Sequence, residues 1–388
     1  MRTGLERLFD KLDGLRGKRV GVACNHTAVD PKLDHVLDRL RAAGIPVRRV
    51  FAPEHGLHAT AQDMISVDGE DAEQALVSLY GKTVDTLRPK AELLSDLDII
   101  LFDIQDIGSR YYTYQATLGY MMEVAASTGT KIIVLDRPNP INGLTLEGNV
   151  VEAGFESFVG AYPLAVRHGM TMGELAHFFR DVVGIRCEIE VIRCEGWDRA
   201  QWYDETNVPW VFPSPNMPTL ETATIYPGMC LIEGTNLSEG RGTTRPFHLV
   251  GAPWLDATEL QRLCRLGADD AGLRGIAFRA ATFEPRFQKF TGVPCNGVEL
   301  FVTDRNALNA LLLGLVVIEA ALRAAPDSFK WRTETYEFVD DPIAIDLLLG
   351  SREGRLALES RMPLGELCAS WDAGRTDWEK ARRSCLMY

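Results

Sequence analysis

The stretch IILFDIQD, residues 99–106, decides the fold. Its apolar run, Ile99–Ile104, passes directly into Gln105 and Asp106. A short apolar run of this kind predicts a β-strand that is buried on both faces. Three similar runs predict further strands: Arg19–Cys24, Val47–Ala52 and Lys131–Leu135.

Helical patterns lie between these predicted strands. Asp34–Ala43 has apolar residues at helical spacing and is followed by Gly44, and Tyr112–Ser127 forms a second such segment before Gly129. Strands that alternate with helices are typical of a parallel sheet with crossover helices, so we predict an α/β fold with a Rossmann-like N-terminal domain.

A second domain is predicted beyond a proline-rich seam. Thr171 and Glu174 form a capping box for a helix through Phe179, and Cys187–Arg193 predicts a fifth strand. Trp210–Pro218 holds three prolines and predicts a loop. The segments beyond it predict two helices and two strands: Asp256–Leu266, Leu308–Leu322, Ile276–Ala280 and Val298–Val302. We therefore predict a Rossmann-like catalytic domain over residues 1–222 and a smaller α+β domain over residues 223–388, with the active site in the cleft between them.

Composition excludes several classes of partner. The chain of 388 residues carries 54 acidic and 41 basic side chains, a net charge of −13, which argues against nucleic acid or an anionic membrane as the main partner. Residues 1–18 hold three acids and lack the apolar core of a signal peptide, so we expect a cytoplasmic protein. Leu308–Leu322 is shorter than the roughly 20 residues that a membrane helix needs. The eight cysteines form no Cys-x-x-Cys pair and are expected to be buried thiols.

Polar residues cluster where four of the predicted strands end. Ligands of open α/β sheets bind outside the carboxyl ends of the strands, so these clusters predict the active site. The clusters are Asn25-His26-Thr27, Pro53-Glu54-His55-Gly56, Gln105-Asp106 with Gly108 and Arg110, and Asp136-Arg137-Pro138-Asn139-Pro140.

Most of these residues also have an ordinary structural interpretation. Asp136 suits a helix cap or turn, Asn139 a turn before a proline, and His26 a satisfied loop histidine. Glu54 suits none of these roles, because a glutamate directly after a proline at a strand end neither forms a turn nor caps a helix. Glu54 is therefore the first candidate for function.

Carboxyl groups in this crevice indicate hydrolysis of a glycosidic bond. That reaction uses one carboxylic acid to protonate the leaving oxygen and a second carboxylate as nucleophile or base. A carboxyl group crowded by other acids or by apolar walls has a raised pKa, which suits an acid catalyst. The catalytic candidates are Glu54, Asp106 and Asp136, whereas Asp103 also has the interpretation of a buried structural acid.

Cationic and aromatic side chains near the crevice are suited to an acidic sugar. Guanidinium groups bind carboxylates in a bidentate way, although a salt bridge within the protein is their commoner fate. The candidate arginines are Arg110, Arg137 and Arg241. Tyr112, with its neighbours Tyr111 and Tyr114, offers a ring for a sugar face, although at least one of the three belongs to the core by alternation.

A glycine-rich segment of the second domain carries further polar candidates. Glu233, Asn236, Glu239 and Arg241 stand within nine residues, where glycines allow a ligand to approach the backbone. The alternative is an ordinary polar loop. No nucleotide-binding glycine motif is present, and the pair His55 and His58 lacks the acidic partner of a zinc motif, so no cofactor and no metal are predicted.

At these motifs the sequence resembles, over nearly its whole length, the exo-β-N-acetylmuramidase family, glycoside hydrolase family 171, formerly a domain of unknown function. The motifs that carry the resemblance are Pro53-Glu54-His55-Gly56, Ser78-Leu79-Tyr80-Gly81, residues 102–114, residues 135–140, Arg167-His168-Gly169-Met170-Thr171, Pro213-Ser214-Pro215-Asn216-Met217-Pro218, Tyr226-Pro227-Gly228, residues 233–236 and residues 238–244.

The resemblance implies release of terminal N-acetylmuramic acid from non-reducing ends of peptidoglycan fragments, without a cofactor. It implies a catalytic role for the glutamate of the Pro-Glu-His-Gly motif, which is Glu54. The lactyl carboxylate of muramic acid would explain the arginines. The predicted substrate-binding residues are Asn25, His26, His55, Arg110, Tyr112, Arg137, Asn139, His168, Asn216, Glu233, Asn236, Glu239 and Arg241.

Two features depart from the family pattern. Residues 67–75 read VDGEDAEQA, where the family more often has a short neutral turn, which affects the expected substrate detail more than the reaction class. The missing signal peptide differs from members that work outside the cytoplasm and indicates processing of recovered wall fragments.

Three hypotheses follow from the sequence. The leading one is an exo-acting glycosidase with Glu54 as general acid and a second carboxylate among Asp106, Asp136, Glu233 and Glu239. The second is a non-catalytic protein that binds or senses wall fragments in the same crevice. The third is a metal-dependent amidase or deacetylase built on three histidines: His26, His55 and His58.

Overall fold

Six parallel strands form the central sheet of the N-terminal domain. The structure, a computed structural model, describes residues 1–58, 75–81 and 83–388. The strands are β1 Val20–Cys24, β2 Val47–Ala52, β3 Ala75–Ser78, β4 Ile99–Asp103, β5 Lys131–Leu135 and β8 Ile189–Ile192, with the antiparallel pair β6 Glu147–Val150 and β7 Ala165–Arg167 beside them. Their order in the sheet is β3-β2-β1-β4-β5-β8. The departure in residues 67–75 lies outside the described residues, apart from the backbone of Ala75 at the start of β3.

The predicted strands of this domain are confirmed. β2 and β5 have the predicted bounds, and β1, β4 and β8 are one to three residues shorter. β1 and β4 are buried along their whole length, because helices cover both faces of a parallel sheet. The edge strand β3 was not predicted, since its four residues carry too short a pattern.

Helices pack on both faces of the sheet. Helices α1 and α2 share one apolar cluster with the sheet, and α3, α4 and α5 share the other. Their bounds are α1 Gly4–Leu8, α2 Val36–Ala42, α3 Glu92–Ser95, α4 Tyr114–Thr128 and α5 Met172–Phe178. The predicted capping box at α5 is confirmed, because the Thr171 hydroxyl accepts from the Glu174 amide and the Glu174 carboxylate accepts from the Thr171 amide.

The strand order creates a switch point between β1 and β4. From β1 the chain proceeds outward to β2 and β3, whereas from β4 it proceeds in the other direction to β5 and β8. The connecting loops on the two sides therefore diverge and leave a crevice at the carboxyl ends of these strands. The polar clusters predicted from the sequence follow β1, β2, β4 and β5 at this edge.

The C-terminal domain combines a three-stranded antiparallel sheet with helices. The sheet has the order β10-β11-β9. Its elements are β9 Leu249–Ala252, β10 Ile276–Phe283, β11 Cys295–Val302, α6 Leu220–Met229, α7 Ala257–Asp270, α8 Ala310–Ala324, α9 Ala344–Leu349, α10 Glu353–Glu359, α11 Leu364–Ser370 and α12 Asp372–Arg383. The predicted helices and strands of this part are confirmed with longer bounds, and Trp210–Pro218 is a loop as predicted.

One apolar cluster joins the two domains. It extends from Phe102 and Met121 on one side of the large sheet to Leu231, Leu315 and Leu348 in the C-terminal part. A continuous core of this kind holds the walls of a cleft in a defined arrangement. Seven of the eight cysteines are buried and Cys368 is half-buried. No helix within the described residues is both long and apolar enough to cross a membrane.

Helices α6 and α8 cross at two glycines. The main chains of Gly228 and Gly314 meet at this crossing, so that a Cβ atom on either residue would collide with a backbone oxygen of the other helix. Small residues permit this close approach, and a side chain would force the helices apart.

We predict that Gly314→Ala lowers the free energy of unfolding by about 1–3 kcal/mol, because the added methyl group overpacks the crossing. The matched control is Gly374→Ala in the exposed α12, where no atom lies within 4 Å of the new Cβ. This control should raise stability by about 0.5–1 kcal/mol through helix propensity alone. Urea unfolding measures both changes, and equal shifts for the two variants would contradict the close crossing.

Candidate active site

A buried cavity lies where the two domains meet. Its N-terminal wall comes from the segment after β2, the residues before α4 and the loop that contains Ser214, Asn216 and Met217. Its C-terminal wall comes from α6, the segment after it and residues 336–337. The enclosed volume is about 30 Å³, room for about one water molecule. A sugar ring therefore requires these walls to move apart.

Glu54 enters this cavity from the end of β2. The backbone turns sharply after it, because His55 and Gly56 both have positive φ angles, 70° and 80°, and the Gly56 amide donates to the Pro53 carbonyl at 3.0 Å. Only 5% of Glu54 is exposed. Its Oε2 accepts a hydrogen bond of 2.6 Å from the hydroxyl of Thr113, next to α4. The position predicted from the sequence is thus part of the cavity wall, together with His55.

Glu233 faces the same cavity from the C-terminal domain. Its Oε1 accepts from Arg241 at 2.6 Å and its Oε2 accepts from the Tyr336 hydroxyl at 2.9 Å. Arg241 also lies 3.1 Å from Glu239, which is paired in turn with Lys289 at 3.1 Å. Two donors, one of them cationic, stabilise negative charge on Glu233. This network brings together three predicted residues, of which Glu233 and Arg241 line the cavity.

Aromatic side chains connect the two walls of the cavity. Tyr112 makes edge contacts with Tyr114 at 5.0 Å and with Tyr226 at 5.8 Å, and Tyr226 continues to Phe247 at 4.9 Å. Burial is the largest cause that raises the pKa of Tyr112 and of Tyr226 well above the usual value. Their hydroxyl groups therefore stay protonated at neutral pH. Tyr111, Tyr112 and Tyr114 all line the cavity, as does the predicted Asn216.

Asp106 and His168 form a buried pair beside β4 that is not part of the cavity lining. The Oδ2 of Asp106 accepts from the Gly108 amide at 2.7 Å and lies 3.6 Å from Nε2 of His168. The Nδ1 of His168 accepts from the Met170 amide at 3.2 Å. These partners hold two loops together at the end of the sheet.

Asp136 is also placed outside the cavity lining. Its carboxylate accepts from the Thr171 hydroxyl, the Gly173 amide and the hydroxyl of Tyr388 at 2.8, 2.8 and 2.6 Å. It thus caps α5 and anchors the last residue of the chain. Burial is the largest cause that raises the pKa of Asp136 to about 6, and the hydrogen bond from Tyr388 opposes that rise.

Arg110 and Arg137 use their guanidinium groups within the protein. Arg137 forms a buried ion pair with Asp103, with a shortest distance of 2.6 Å, and donates to the Val29 carbonyl at 3.0 Å. This pair supports the structural interpretation of Asp103. Arg110 donates to three main-chain carbonyl groups. Neither arginine lines the cavity.

Four predicted binding residues support the loops around the site. Asn25 donates to the Tyr114 hydroxyl at 3.0 Å, and Nε2 of His26 donates to the Phe212 carbonyl at 2.6 Å. Burial is the largest cause that lowers the pKa of His26. Asn139 donates to the Met170 carbonyl, and Asn236 to the Ser328 carbonyl. None of these four is in the cavity lining.

The histidines proposed for a metal site are separated in function. His26 binds a loop carbonyl, His55 lines the cavity and His58 is exposed. Among the residues that the structure describes, no group of three or more His, Cys, Asp or Glu side chains is arranged to hold a metal ion.

Several cavity residues were missed by sequence reasoning. Glu337 is a third glutamate of the lining, and its carboxylate accepts from the Tyr80 hydroxyl at 3.3 Å. Tyr336 and Glu337 lie in an irregular segment with no pattern that could have found them. Tyr226 and Ser214 had a signal, because both stand in motifs that carry the family resemblance.

Fold and site together define a class, a two-domain α/β protein whose interdomain cavity carries carboxylates from both domains. Models of the exo-beta-N-acetylmuramidase NamZ family match the chain, its N-terminal part over residues 20–221 and its C-terminal part over residues 224–388. The chain belongs to this family.

A curated relative and two solved structures agree with this membership. A peptidoglycan beta-N-acetylmuramidase NamZ of Bacillus subtilis strain 168 is 39% identical over 393 residues, which cover 100% of this chain and 91% of that protein. Two DUF1343 family proteins of Bacteroides fragilis NCTC 9343 are 32% and 27% identical, with TM-scores of 0.88 and 0.78. Each match covers 100% of this chain and 98% of the other.

We predict that Tyr388→Phe destabilises the protein more at pH 7.5 than at pH 5. The folded pKa of Asp136 is about 6, so its carboxylate is charged at pH 7.5 and the hydrogen bond from Tyr388 stabilises that charge. This contribution, about 1–3 kcal/mol, is lost as the pH falls through 6 and the carboxyl group becomes protonated. Urea unfolding at the two pH values measures the difference.

The outcome separates two roles of the same hydroxyl. The Tyr388 oxygen also accepts from the Cys194 amide at 2.8 Å, and that bond does not depend on the charge of Asp136. An equal loss at both pH values would mean that only the Cys194 contact matters.

Proposed function

We propose that this protein is an exo-acting glycoside hydrolase that releases terminal β-linked N-acetylmuramic acid from the non-reducing ends of peptidoglycan fragments. Its family membership supports this reaction, and the named activity of its 39% identical relative supports the substrate. The observation that carries the proposal is the meeting of Glu54 and Glu233, from different domains, on one buried cavity. Glycosidases need two carboxyl groups in that relation.

Glu54 is the general acid of the proposed mechanism. As a carboxylic acid it protonates the glycosidic oxygen, so that the remainder of the fragment leaves as an alcohol. The Thr113 hydroxyl holds Oε2 of Glu54 and so orients the carboxyl group. Because Thr113 adjoins the buried helix α4, the orientation depends on the domain core and not on a surface loop.

Glu233 is the second carboxylate. Arg241 and Tyr336 stabilise its charge, which suits a group that must face the positive charge that develops on the sugar. Arg241 reaches the cavity as well, and it is the arginine of the three sequence candidates that is proposed to approach the lactyl carboxylate. A cytoplasmic location and the processing of recovered wall fragments belong to the same proposal.

We predict different losses for Glu54→Gln and Glu233→Gln on two substrates. On a muramyl-β-1,4-N-acetylglucosamine disaccharide, each variant should lower kcat by about 10²–10⁴-fold. On 4-nitrophenyl muramide the leaving group needs little protonation, so Glu54→Gln should keep most of the activity and Glu233→Gln should not. Release of free muramic acid is the measurement, with the product anomer followed by NMR.

Two further variants complete the design. Glu92→Gln, in the exposed part of α3, is the matched control and should behave like the wild type. Glu337→Gln tests the third glutamate of the cavity, and a larger loss there than for Glu233→Gln on both substrates would move the second role to Glu337. If Glu54→Gln retains the wild-type rate on the disaccharide, Glu54 is not the acid. Tight binding of the disaccharide by the wild type with no turnover would instead indicate a binding protein.

A further inference from the structure

A second cavity of about 590 Å³ lies in the C-terminal domain, and the mechanism above does not use it. Its lining comes from three separate segments: residues 235–236, residues 288–290 and residues 330–334. The volume falls in the range of cavities that hold small ligands, whereas the active cavity holds about one water molecule.

The charge of this second cavity is opposite to that of the protein as a whole. Lys289, Lys330, Arg332 and Glu334 line it. Lys289 is matched by Glu239, so the remaining side chains leave an excess of one positive charge in a chain of net charge −13. A cationic recess on an acidic protein favours a ligand that carries a negative charge.

The other lining residues suit a ligand with rings and polar groups. Trp331 and Phe290 supply aromatic surface, and Asn236 and Gln288 supply amide groups. The Trp331 ring is held in place, because its Nε1 donates to Glu359 at 2.9 Å and it packs edge-on against Phe329 at 5.1 Å. Aromatic walls with a few polar groups and a cation are a common arrangement for binding sugars or peptides that bear carboxylates.

The two cavities share a wall. The Arg332 amide donates to the Gly234 carbonyl at 2.9 Å, and Thr235 pairs with Trp331 in a short antiparallel bridge. These two segments lead directly to Glu233 and to Tyr336, which contact each other in the active cavity. A ligand in the active cavity that extends past this wall therefore reaches the second cavity.

Ion pairs run along the same wall. Lys289 donates to Glu239 at 3.1 Å and to the Leu237 carbonyl at 2.9 Å, and Glu239 pairs with Arg241 of the active cavity. Gln288 and Phe290, on either side of Lys289, both have positive φ angles, 58° and 59°. A backbone of this kind persists only where its surroundings hold it, and it is common at ligand sites.

We propose that the second cavity binds a carboxylate on the part of the wall fragment that lies beyond the terminal sugar ring. The proposal rests on the proposed function and extends it to the rest of the substrate. Two sources have this chemistry: the peptide attached to the lactyl group, and the lactyl carboxylate of the next muramic acid along the glycan. Lys330 is the cation that receives it.

Lys330 suits this role for two structural reasons. Its main chain is fixed, because its amide donates to the Asn236 side chain at 2.9 Å and its carbonyl accepts from the Asn236 amide at 2.9 Å. Its side chain is exposed, and within the described residues it forms no ion pair. A charge change at Lys330 should therefore leave the fold intact.

The experiment compares three substrates with the purified full chain. The first is the peptide-free disaccharide, which has no carboxylate beyond the terminal sugar. The second is the same disaccharide with its peptide, and the third is a peptide-free tetrasaccharide with a second muramic acid. Lys330→Glu should lower kcat/KM about fivefold to tenfold on the second or the third substrate, the size expected when a partly exposed charge contact is reversed. The first substrate should change less than twofold.

Two variants serve as controls. Lys330→Arg keeps the charge and should keep the wild-type kcat/KM on all three substrates. Lys11→Glu makes the same charge change at an exposed site of the N-terminal domain and should have no effect. The substrate that responds to Lys330→Glu identifies the source of the carboxylate.

Two results would overturn the proposal: an equal loss on all three substrates, or no loss on either long substrate. Failure of the proposed function gives a different result, since the wild type itself would then release no muramic acid from the disaccharide. Calorimetry with the peptide-bearing disaccharide and the tetrasaccharide decides the second cavity in that case. Lys330→Glu should weaken binding of one of them fivefold to tenfold, and unchanged affinity for both would contradict the proposal.

Discussion

The relation between the two domains depends on the buried guanidinium group of Arg110. It donates to the carbonyls of Asn149, Leu164 and Leu348 at 2.9, 3.0 and 2.7 Å, and the last of these belongs to helix α9 of the C-terminal domain. Asn149 adds a hydrogen bond of 2.6 Å to the Leu349 carbonyl. Carbonyls at the end of a helix have no partner within the helix and favour a nearby positive charge. The N-terminal domain thus completes a helix of its neighbour.

The opposite arrangement occurs at helix α8. Glu147 of β6 accepts from the Leu311 amide at 2.9 Å, at the start of α8, and from Arg167 at 2.8 Å. Negative charge is favoured at a helix N-terminus. Because these end contacts and the common apolar core hold the domains together, Glu54 and Glu233 lie on one cavity although 179 positions separate them in the sequence.

The polar residues at the strand ends divide into two sets with different physical roles. Asp103 and Asp136 are buried without room for a ligand, and each is satisfied by partners from elsewhere in the fold, Arg137 for the first and Tyr388 for the second. Burial of such carboxylates requires donors of this kind, so they serve the scaffold. Glu54 is equally buried, but it borders the space between the domains, where a reacting group has access to substrate.

The sequence by itself determined the α/β class, the five predicted strands of the N-terminal sheet and the importance of Glu54. Local patterns carry this information, because an apolar run followed by polar residues marks a strand end wherever it occurs. The contribution of Glu337, the inward use of Arg110 and Arg137, and the pairing of Glu54 with Glu233 were decided by the tertiary structure alone. Contacts between distant residues depend on how helices and strands pack, and no local pattern records which side chain a neighbouring domain will satisfy.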